Sequence, residues 1–141
     1  MSFRELDAQV LVADRAMLPG DMAGAAALGV TLAVNNRPDG EEPGQASAAA
    51  LGDAARAAGL DYVHLPVSGG LSEEKAASLA GALAGARGRV LLFCRTGTRS
   101  TFLWALARAR TGEAPDALEQ GARRAGYDLT PLIPWLKASS P

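Results

Sequence analysis

Residues 89–100 read Arg-Val-Leu-Leu-Phe-Cys-Arg-Thr-Gly-Thr-Arg-Ser and carry the only cysteine of the chain, Cys94. The apolar run from Arg89 to Phe93 predicts a buried strand, and the residues from Ser100 to Arg110 predict a helix. A strand that passes through a short polar loop into a helix is typical of an α/β fold. In a mainly parallel sheet, ligands bind beyond the carboxyl ends of the strands, which is where Cys94 would lie.

The remainder of the chain alternates strands and helices in the same manner. Apolar and β-branched runs predict further strands at residues 3–6, 9–13, 30–35 and 61–67. Patterns bounded by proline, serine or glycine predict helices at residues 19–28, 47–58, 72–86, 115–125 and 129–137. We therefore expect an α/β fold with a mainly parallel central sheet flanked by helices, as one domain over residues 1–141. The loops 35–44, 67–71 and 94–100 should then converge on one site.

The composition narrows the classes of function. A formal net charge of -1 provides no global field to attract nucleic acid or an anionic membrane, so we expect neither as a partner. One cysteine excludes an intrachain disulfide framework, and one histidine argues against a metal site; no cofactor is expected. No apolar run reaches the about 20 residues of a membrane span, and the polar N-terminus is unlike a signal peptide. We therefore expect a cytoplasmic protein.

The loop around Cys94 has the composition of an anion-binding site. Arg95 and Arg99 supply positive charge, and Gly97 lets successive N–H groups point inward. The start of a helix favours an anion, so we expect the pKa of Cys94 to lie below the about 8.5 of a free thiol. A merely buried cysteine, the other interpretation, would not require this glycine between two arginines. We expect the catalytic residues to be Cys94, Arg99 and Ser100, and the substrate-binding residues of this loop to be Arg95, Thr96, Gly97 and Thr98.

Three side chains outside this loop are further candidates. Arg37 and Asn35, on loop 35–44, are expected to bind substrate. Arg37 has an equally good alternative, which is to pair with Asp39 or Glu41, and Asn35 has the alternative of fixing its own loop. We expect His64 to be a structural, hydrogen-bonded residue because the predicted strand 61–67 places it in mid-strand, away from the carboxyl end.

Two features resemble known families. The Cys-x4-Arg motif is similar to the active-site loop of rhodanese sulfurtransferases, whereas protein tyrosine phosphatases have Cys-x5-Arg. Residues 32–41, 62–67, 94–106 and 125–129 resemble the phosphatase-like family of beta-lactamase-hydrolase-like proteins. This resemblance implies a dual-specificity-phosphatase-like fold, in a family that includes sulfur transferases. Some members are fused to a persulfide dioxygenase, and here we expect such a dioxygenase partner to be a separate protein.

Sulfur transfer and phosphoryl transfer both begin with attack by a thiolate on an anionic group. The six residues from Cys94 to Arg99 make a tight cradle that suits a persulfide, and loop 67–71 lacks the acid with which a phosphatase protonates its leaving group. We therefore predict a sulfurtransferase that moves sulfane sulfur from an anionic donor, thiosulfate or glutathione persulfide, through a Cys94 persulfide to a thiol, sulfite or cyanide. One alternative is a cysteine-dependent phosphatase that acts on phosphotyrosine or small phosphoesters, whose acid would be Glu73, Glu74 or Asp39. The other is a module that binds anions or persulfides without turnover.

Overall fold

A computed structural model describes residues 2–139 of the chain. Within these residues, five strands form one sheet in the order β1-β2-β5-β3-β4. The strands are β1 (Phe3–Glu5), β2 (Val10–Ala13), β3 (Val30–Asn35), β4 (Asp61–His64) and β5 (Arg89–Phe93). Strands β2, β5, β3 and β4 are parallel, and only β1 at the edge pairs in the antiparallel direction. The predicted mainly parallel sheet is therefore confirmed.

Helices lie on both faces of this sheet. They are α1 (Met22–Ala27), α2 (Ala48–Ala57), α3 (Glu73–Gly85), α4 (Thr98–Arg110), α5 (Pro115–Arg124) and α6 (Ile133–Ser139). Short 3-10 turns precede α1 and α6. The hydroxyl groups of Ser47 and Ser72 accept hydrogen bonds from backbone N–H groups in the first turns of α2 and α3. These caps explain why both helices begin where the sequence predicts.

The two faces of β5 contribute to separate halves of the core. Val90 and Leu92 pack among residues of α3, α4, α5 and α6, with the buried ring of Trp104 on the same side. Leu91 and Phe93 point to the opposite face, toward α1 and α2. Because β5 is buried on both faces and lies between β2 and β3, its carboxyl end is held rigidly where Cys94 begins the next loop.

Two element boundaries differ from the prediction. Strand β4 ends at His64 rather than at residue 67, although the N–H groups of Leu65 and Val67 still donate to the carbonyls of Asn35 and Asn36. Helix α4 begins at Thr98, two residues earlier than predicted. None of the helices in residues 2–139 combines the length and the hydropathy of a membrane span.

Candidate active site

The candidate site is built on the loop between β5 and α4. Cys94 directly follows β5 and is only 1% exposed. Gly97 has a φ of +92° and caps α4, so the loop turns sharply and its N–H groups face the sulfur. The Gly97 N–H donates to Cys94 Sγ at 3.2 Å. The predicted placement of a thiol at the start of a helix is therefore confirmed.

The environment of Cys94 favours the thiolate. Burial raises the pKa of the thiol, but hydrogen bonds from the Ser100 N–H and hydroxyl and from the Gly97 and Thr96 N–H groups outweigh burial and bring the pKa below its ordinary value. The Ser100 hydroxyl has a single proton, and in the structure it donates that proton to Asn36 Oδ1 at 2.8 Å. We therefore attribute the lowered pKa of Cys94 chiefly to the backbone N–H groups.

Asn36 links the Cys94 loop to the neighbouring strands. Its Oδ1 accepts from Ser100, its Nδ2 donates to the Leu65 carbonyl at 2.9 Å, and its N–H donates to the Phe93 carbonyl at 2.7 Å. Both Asn36 and Ser100 are completely buried. Such a buried and satisfied network holds the loop in one geometry.

Five charged side chains surround the mouth of the loop. Arg99 forms a two-pronged ion pair with Glu41, with Nη1 to Oε2 at 2.6 Å and Nη2 to Oε1 at 2.9 Å. Arg37 contacts Oε1 of both Glu41 and Glu42 at 3.0 Å, and Arg95 Nε contacts Glu42 Oε1 at 2.7 Å. The hydrogen bond from Arg99 lowers the pKa of Glu41 to about 2, against the opposing effect of burial and with further help from Arg37.

Arg99 joins three loops of the chain. Besides Glu41 of loop 35–44, it contacts the Val67 carbonyl at 3.2 Å, at the start of loop 67–71. The hydrogen bond to Glu41 and, more weakly, the charge of the Cys94 thiolate raise the pKa of Arg99 against the opposing effect of burial. The predicted convergence of the three loops on one site is therefore confirmed.

The structure gives Arg37 partners within its own loop, and gives Asn35 one partner in that loop and one in β4. Arg37 is buried and pairs with Glu41 and Glu42, in agreement with the ion-pair alternative for this residue. Asn35 Oδ1 accepts from the Arg37 N–H at 2.9 Å, and Asn35 Nδ2 donates to the Tyr62 hydroxyl at 3.0 Å. Both residues therefore shape the loop, and contact with a substrate stays a prediction for each.

Tyr127 belongs to the site although sequence analysis did not include it. Its hydroxyl donates to the Thr96 carbonyl at 2.7 Å, and burial raises its pKa to about 12, helped by the charges of Asp14 and Cys94. A Cβ at Gly97 would collide with this hydroxyl and lie 2.7 Å from the Ala13 carbonyl. Only the match of residues 125–129 to the family pattern indicated a role for this segment.

The candidate general acids have other partners. Glu73 accepts from Arg110 at 2.8 Å, from Trp135 Nε1 at 3.0 Å and from the Ser139 hydroxyl at 3.3 Å. Asp39 accepts the Ala48 N–H at 2.7 Å at the start of α2. None of these partners belongs to the Cys94 loop.

Glu74 and His64 complete the set of polar candidates. Glu74 is exposed in the first turn of α3, the position of a dipole complement. His64 is the last residue of β4, so the mid-strand argument for it was wrong. Its Nε2 nevertheless lies 3.0 Å from the Arg37 carbonyl oxygen, as expected of a hydrogen-bonded structural residue.

Two clefts flank the loop. One of about 450 Å3 is lined by Arg95 and Thr96 on one side and by Met17, Leu18 and residues 42–46 on the other. The second, of about 440 Å3, is lined by Arg99, Phe102, Glu41 and residues 67–71. Cys94 lines neither of these two clefts. Among the described residues, no group of three or more His, Cys, Asp or Glu side chains is arranged to hold a metal ion.

Solved structures share this fold. A candidate phosphatase from Neisseria meningitidis superposes with a TM-score of 0.86, at 28% sequence identity and with 99% of each chain covered. A kinase associated phosphatase with its catalytic site cysteine replaced by serine superposes with a TM-score of 0.69, at 14% identity, over 89% of this chain and 82% of that one. The sheet flanked by helices is therefore a protein-tyrosine-phosphatase-like fold.

Comparison of the sequence with known proteins agrees with the structural comparison. A beta-lactamase hydrolase-like protein of Agrobacterium fabrum is 34% identical over 137 residues, which are 96% of this chain and 32% of that protein. The chain thus spans about a third of the length of this relative. The family model for the phosphatase-like domain of beta-lactamase hydrolase-like proteins matches residues 2–111, which include the whole Cys94 loop. The chain therefore belongs to the phosphatase-like domain family of the beta-lactamase hydrolase-like proteins.

Proposed function

We propose that the chain is a cysteine-dependent phosphatase in which Cys94 is the nucleophile and Arg99 and the loop N–H groups bind the phosphoryl group. The observation that carries this proposal is the buried Sγ of Cys94 at the start of α4, bonded by the Gly97 N–H at 3.2 Å. The family and the shared fold support phosphoryl transfer more than the sulfur transfer that loop length favoured.

The reaction would proceed in two displacements. The Cys94 thiolate attacks phosphorus, the bond from phosphorus to the leaving oxygen breaks, and that oxygen keeps the electron pair and takes a proton from solvent. Water then attacks the phosphocysteine, the S–P bond breaks, and inorganic phosphate and the thiolate are released. The N–H groups that lower the pKa of Cys94 also make it a good leaving group in this second step.

The ionised carboxylates around the loop limit the substrate class. Glu41, with a pKa of about 2, carries no proton to donate at neutral pH. Asp39 is engaged by a backbone N–H, and Glu73 by α4 and α6. Without a nearby acid, hydrolysis is fastest for esters whose leaving oxygen needs no proton, so aryl phosphates are preferred to alkyl phosphates.

Sulfur transfer is the second candidate, favoured by the short Cys-x4-Arg loop and by the same shortage of protonated acids. The Cys94 thiolate would attack the outer sulfur of thiosulfate, the S–S bond would break, and sulfite would leave with the electron pair. A thiol acceptor, as its thiolate, would then attack the outer sulfur of the Cys94 persulfide and regenerate the Cys94 thiolate. Neither sulfite nor the Cys94 thiolate needs a general acid in order to leave at neutral pH.

One pair of assays separates these candidates. Hydrolysis of p-nitrophenyl phosphate is measured for the protein and for the Cys94→Ser variant, and the intact mass is recorded after brief exposure of the reduced protein to thiosulfate. The phosphatase proposal expects turnover that Cys94→Ser lowers at least about a thousandfold, because the alcohol is a poor nucleophile at its ordinary pKa. Circular dichroism of the variant checks that the fold is retained.

Other outcomes of these assays would favour a different function for the chain. A gain of one sulfur on Cys94, removed by cyanide or glutathione, in a protein that does not hydrolyse the ester would replace the phosphatase by a sulfurtransferase. A persulfide that no acceptor discharges would support the binding module instead. Full activity in Cys94→Ser would exclude Cys94 as the nucleophile in any of these reactions.

A further inference from the structure

A fourth loop lies at the active edge of the sheet, beside the three that sequence analysis identified. Strand β2 runs parallel to β5, so residues 14–18, which follow β2, leave the sheet at the same edge as Cys94. The cleft of about 450 Å3 lies between this loop, residues 42–46, and the side of the Cys94 loop formed by Arg95 and Thr96. We name it the Leu18 cleft.

The Leu18 cleft adjoins the candidate nucleophile. Thr96, which lines the cleft, also directs its N–H at the sulfur of Cys94. Two residues of chain span at most about 7 Å, so the Cα of Thr96 lies no farther than that from the Cα of Cys94. A group attached to a phosphoryl oxygen that the loop N–H groups hold can therefore extend into the cleft.

The charges in the lining of the cleft are compensated within the protein. Its charged side chains take part in four ion pairs of 2.7–3.0 Å, which are Arg4–Asp14, Arg15–Asp21, Arg37–Glu42 and Arg95–Glu42. The cleft therefore has little excess charge with which to attract a second anionic group. It is better suited to an uncharged part of the substrate.

The apolar wall of the cleft is held in place. Leu18 is 59% exposed, although its backbone is fixed from both sides by Asp21. The Leu18 N–H donates to Asp21 Oδ2 at 2.8 Å, and the Leu18 carbonyl accepts the Asp21 N–H at 2.9 Å. Met17, which precedes it, is buried in the core under the sheet edge. The exposed leucine therefore stands on a rigid base beside the Cys94 loop.

Arg95 gives the cleft a preference for aromatic rings. Its side chain is 62% exposed, and its Nε lies 2.7 Å from Glu42 Oε1, a contact that orients the guanidinium. The plane of a guanidinium stacks on aromatic rings, which carry negative charge density on their faces. An aromatic ring in the cleft can therefore gain stacking on Arg95 as well as apolar contact with Leu18, whereas an alkyl group gains only the apolar contact.

We propose that the Leu18 cleft binds the aromatic leaving group of the substrate and that Leu18 determines the preference for aryl over alkyl groups in binding. The proposal rests on the proposed function for the phosphoryl group that the Cys94 loop holds. The shortage of a general acid favours aryl esters in the chemical step, whereas the cleft favours them in the binding step. The two effects can therefore be measured separately.

The test measures binding without turnover. Benzylphosphonate and methylphosphonate both present a phosphoryl-like group that cannot be hydrolysed, and only the first carries a ring. Each is added at increasing concentration while Cys94 is alkylated with iodoacetamide, which is uncharged, and intact mass gives the concentration that halves the rate. The ratio of the two half-protecting concentrations reports the contribution of the ring.

The chain offers a matched control for the variant Leu18→Ala. Leu28 is a second exposed leucine, at 40%, and caps the carboxyl end of α1 just before β3 begins. It therefore lies at the edge of the sheet opposite to Cys94, and Leu28→Ala removes the same side chain far from the cleft. Phe102→Ala tests the other cleft, which Arg99 lines. Thermal unfolding checks that all three variants are folded.

We expect benzylphosphonate to protect the unchanged protein at a concentration at least about fivefold lower than methylphosphonate. Leu18→Ala should reduce this advantage at least about threefold, because the truncation removes apolar area that the ring covers. Protection by methylphosphonate should change less than about twofold in Leu18→Ala, and Leu28→Ala should leave both concentrations within the same limit.

An advantage of benzylphosphonate that survives Leu18→Ala would overturn the proposal. Its loss in Phe102→Ala alone would also overturn it, by assigning the ring to the other cleft, as would a lack of protection by either phosphonate. Hydrolysis of p-nitrophenyl phosphate without any such advantage would refute the cleft and leave the phosphatase standing. A Leu18-dependent advantage in a protein that does not hydrolyse the ester would refute the phosphatase and support the cleft as the site for the aromatic part of another anionic ligand.

Discussion

Replacing Tyr127 with phenylalanine tests how the Cys94 loop keeps its shape. The change removes a single hydroxyl, which donates to the Thr96 carbonyl at 2.7 Å. Thr96 is exposed, so water can replace this donor, and the loss is about 1 kcal/mol rather than the larger cost of an unpaired buried carbonyl. Because Thr96 and Gly97 provide N–H groups to the sulfur, a looser loop stabilises the thiolate less.

The expected fall in the reactivity of Cys94 follows from the free energy of this single hydrogen bond. If the whole of about 1 kcal/mol is lost from the thiolate form, the thiolate fraction below the pKa of Cys94 falls about fivefold. The rate of alkylation by iodoacetamide below that pKa falls by the same factor, and the midpoint of the pH–rate profile moves upward. The limiting rate at high pH, where both proteins are fully ionised, should be unchanged.

The assay is the pH dependence of alkylation, read by intact mass, for the protein and for Tyr127→Phe. Urea unfolding of the two proteins accompanies it, with an expected loss of about 1 kcal/mol in the free energy of unfolding. A variant with the same pH–rate midpoint and lower stability would show that Tyr127 supports only the fold. An unchanged midpoint together with unchanged stability would refute the reasoning for this contact altogether.

Two further predictions concern the loop and its ion pairs. Gly97→Ala should lower the free energy of unfolding, measured by urea titration, more than Gly112→Ala does. Both glycines have positive φ, at +92° and +104°, but only at Gly97 would a Cβ collide with neighbouring atoms. This collision should add a loss of about 1–3 kcal/mol. Equal losses in the two variants would mean that the loop tolerates the side chain. The stabilisation from the ion pairs of Glu41 should be present above a pH of about 4.5 and disappear as the pH falls toward about 2, because the pKa of this group is lower in the folded than in the unfolded protein. Urea titrations between pH 6 and 2 should show a smaller acid-dependent loss for Glu41→Gln than for the unchanged protein, and identical losses would contradict the assignment.

Local sequence patterns were sufficient for most of the fold. The strand at residues 89–93 has the bounds that its apolar run predicts, and α2 and α3 begin at the serines that cap them. Helix caps and the periodicity of apolar residues depend on neighbours a few positions away along the chain, so they can be recognised from the sequence alone. The composition of the Cys94 loop likewise indicated a thiolate and an anion cradle.

Boundaries that depend on a special backbone geometry were less predictable. The start of α4 at Thr98 follows from the positive φ of Gly97, which the sequence permits but does not require. Strand β4 ends at His64, although the N–H groups of Leu65 and Val67 still donate to the carbonyls of Asn35 and Asn36. At Gly97 the glycine was visible in the sequence, and the surrounding structure selected its conformation.

Patterns along the chain thus predicted the alternation of strands and helices, the candidate nucleophile Cys94 and the arginine- and glycine-containing loop around it. Which charges meet at this loop depends on the three-dimensional fold. Glu41 and Arg99 are 58 residues apart and pair because β3 and β5 are neighbours in the sheet, and Tyr127 reaches Thr96 from 31 residues away. Ion pairs and hydrogen bonds act over a few ångströms in space, whereas sequence patterns report only on neighbours along the chain.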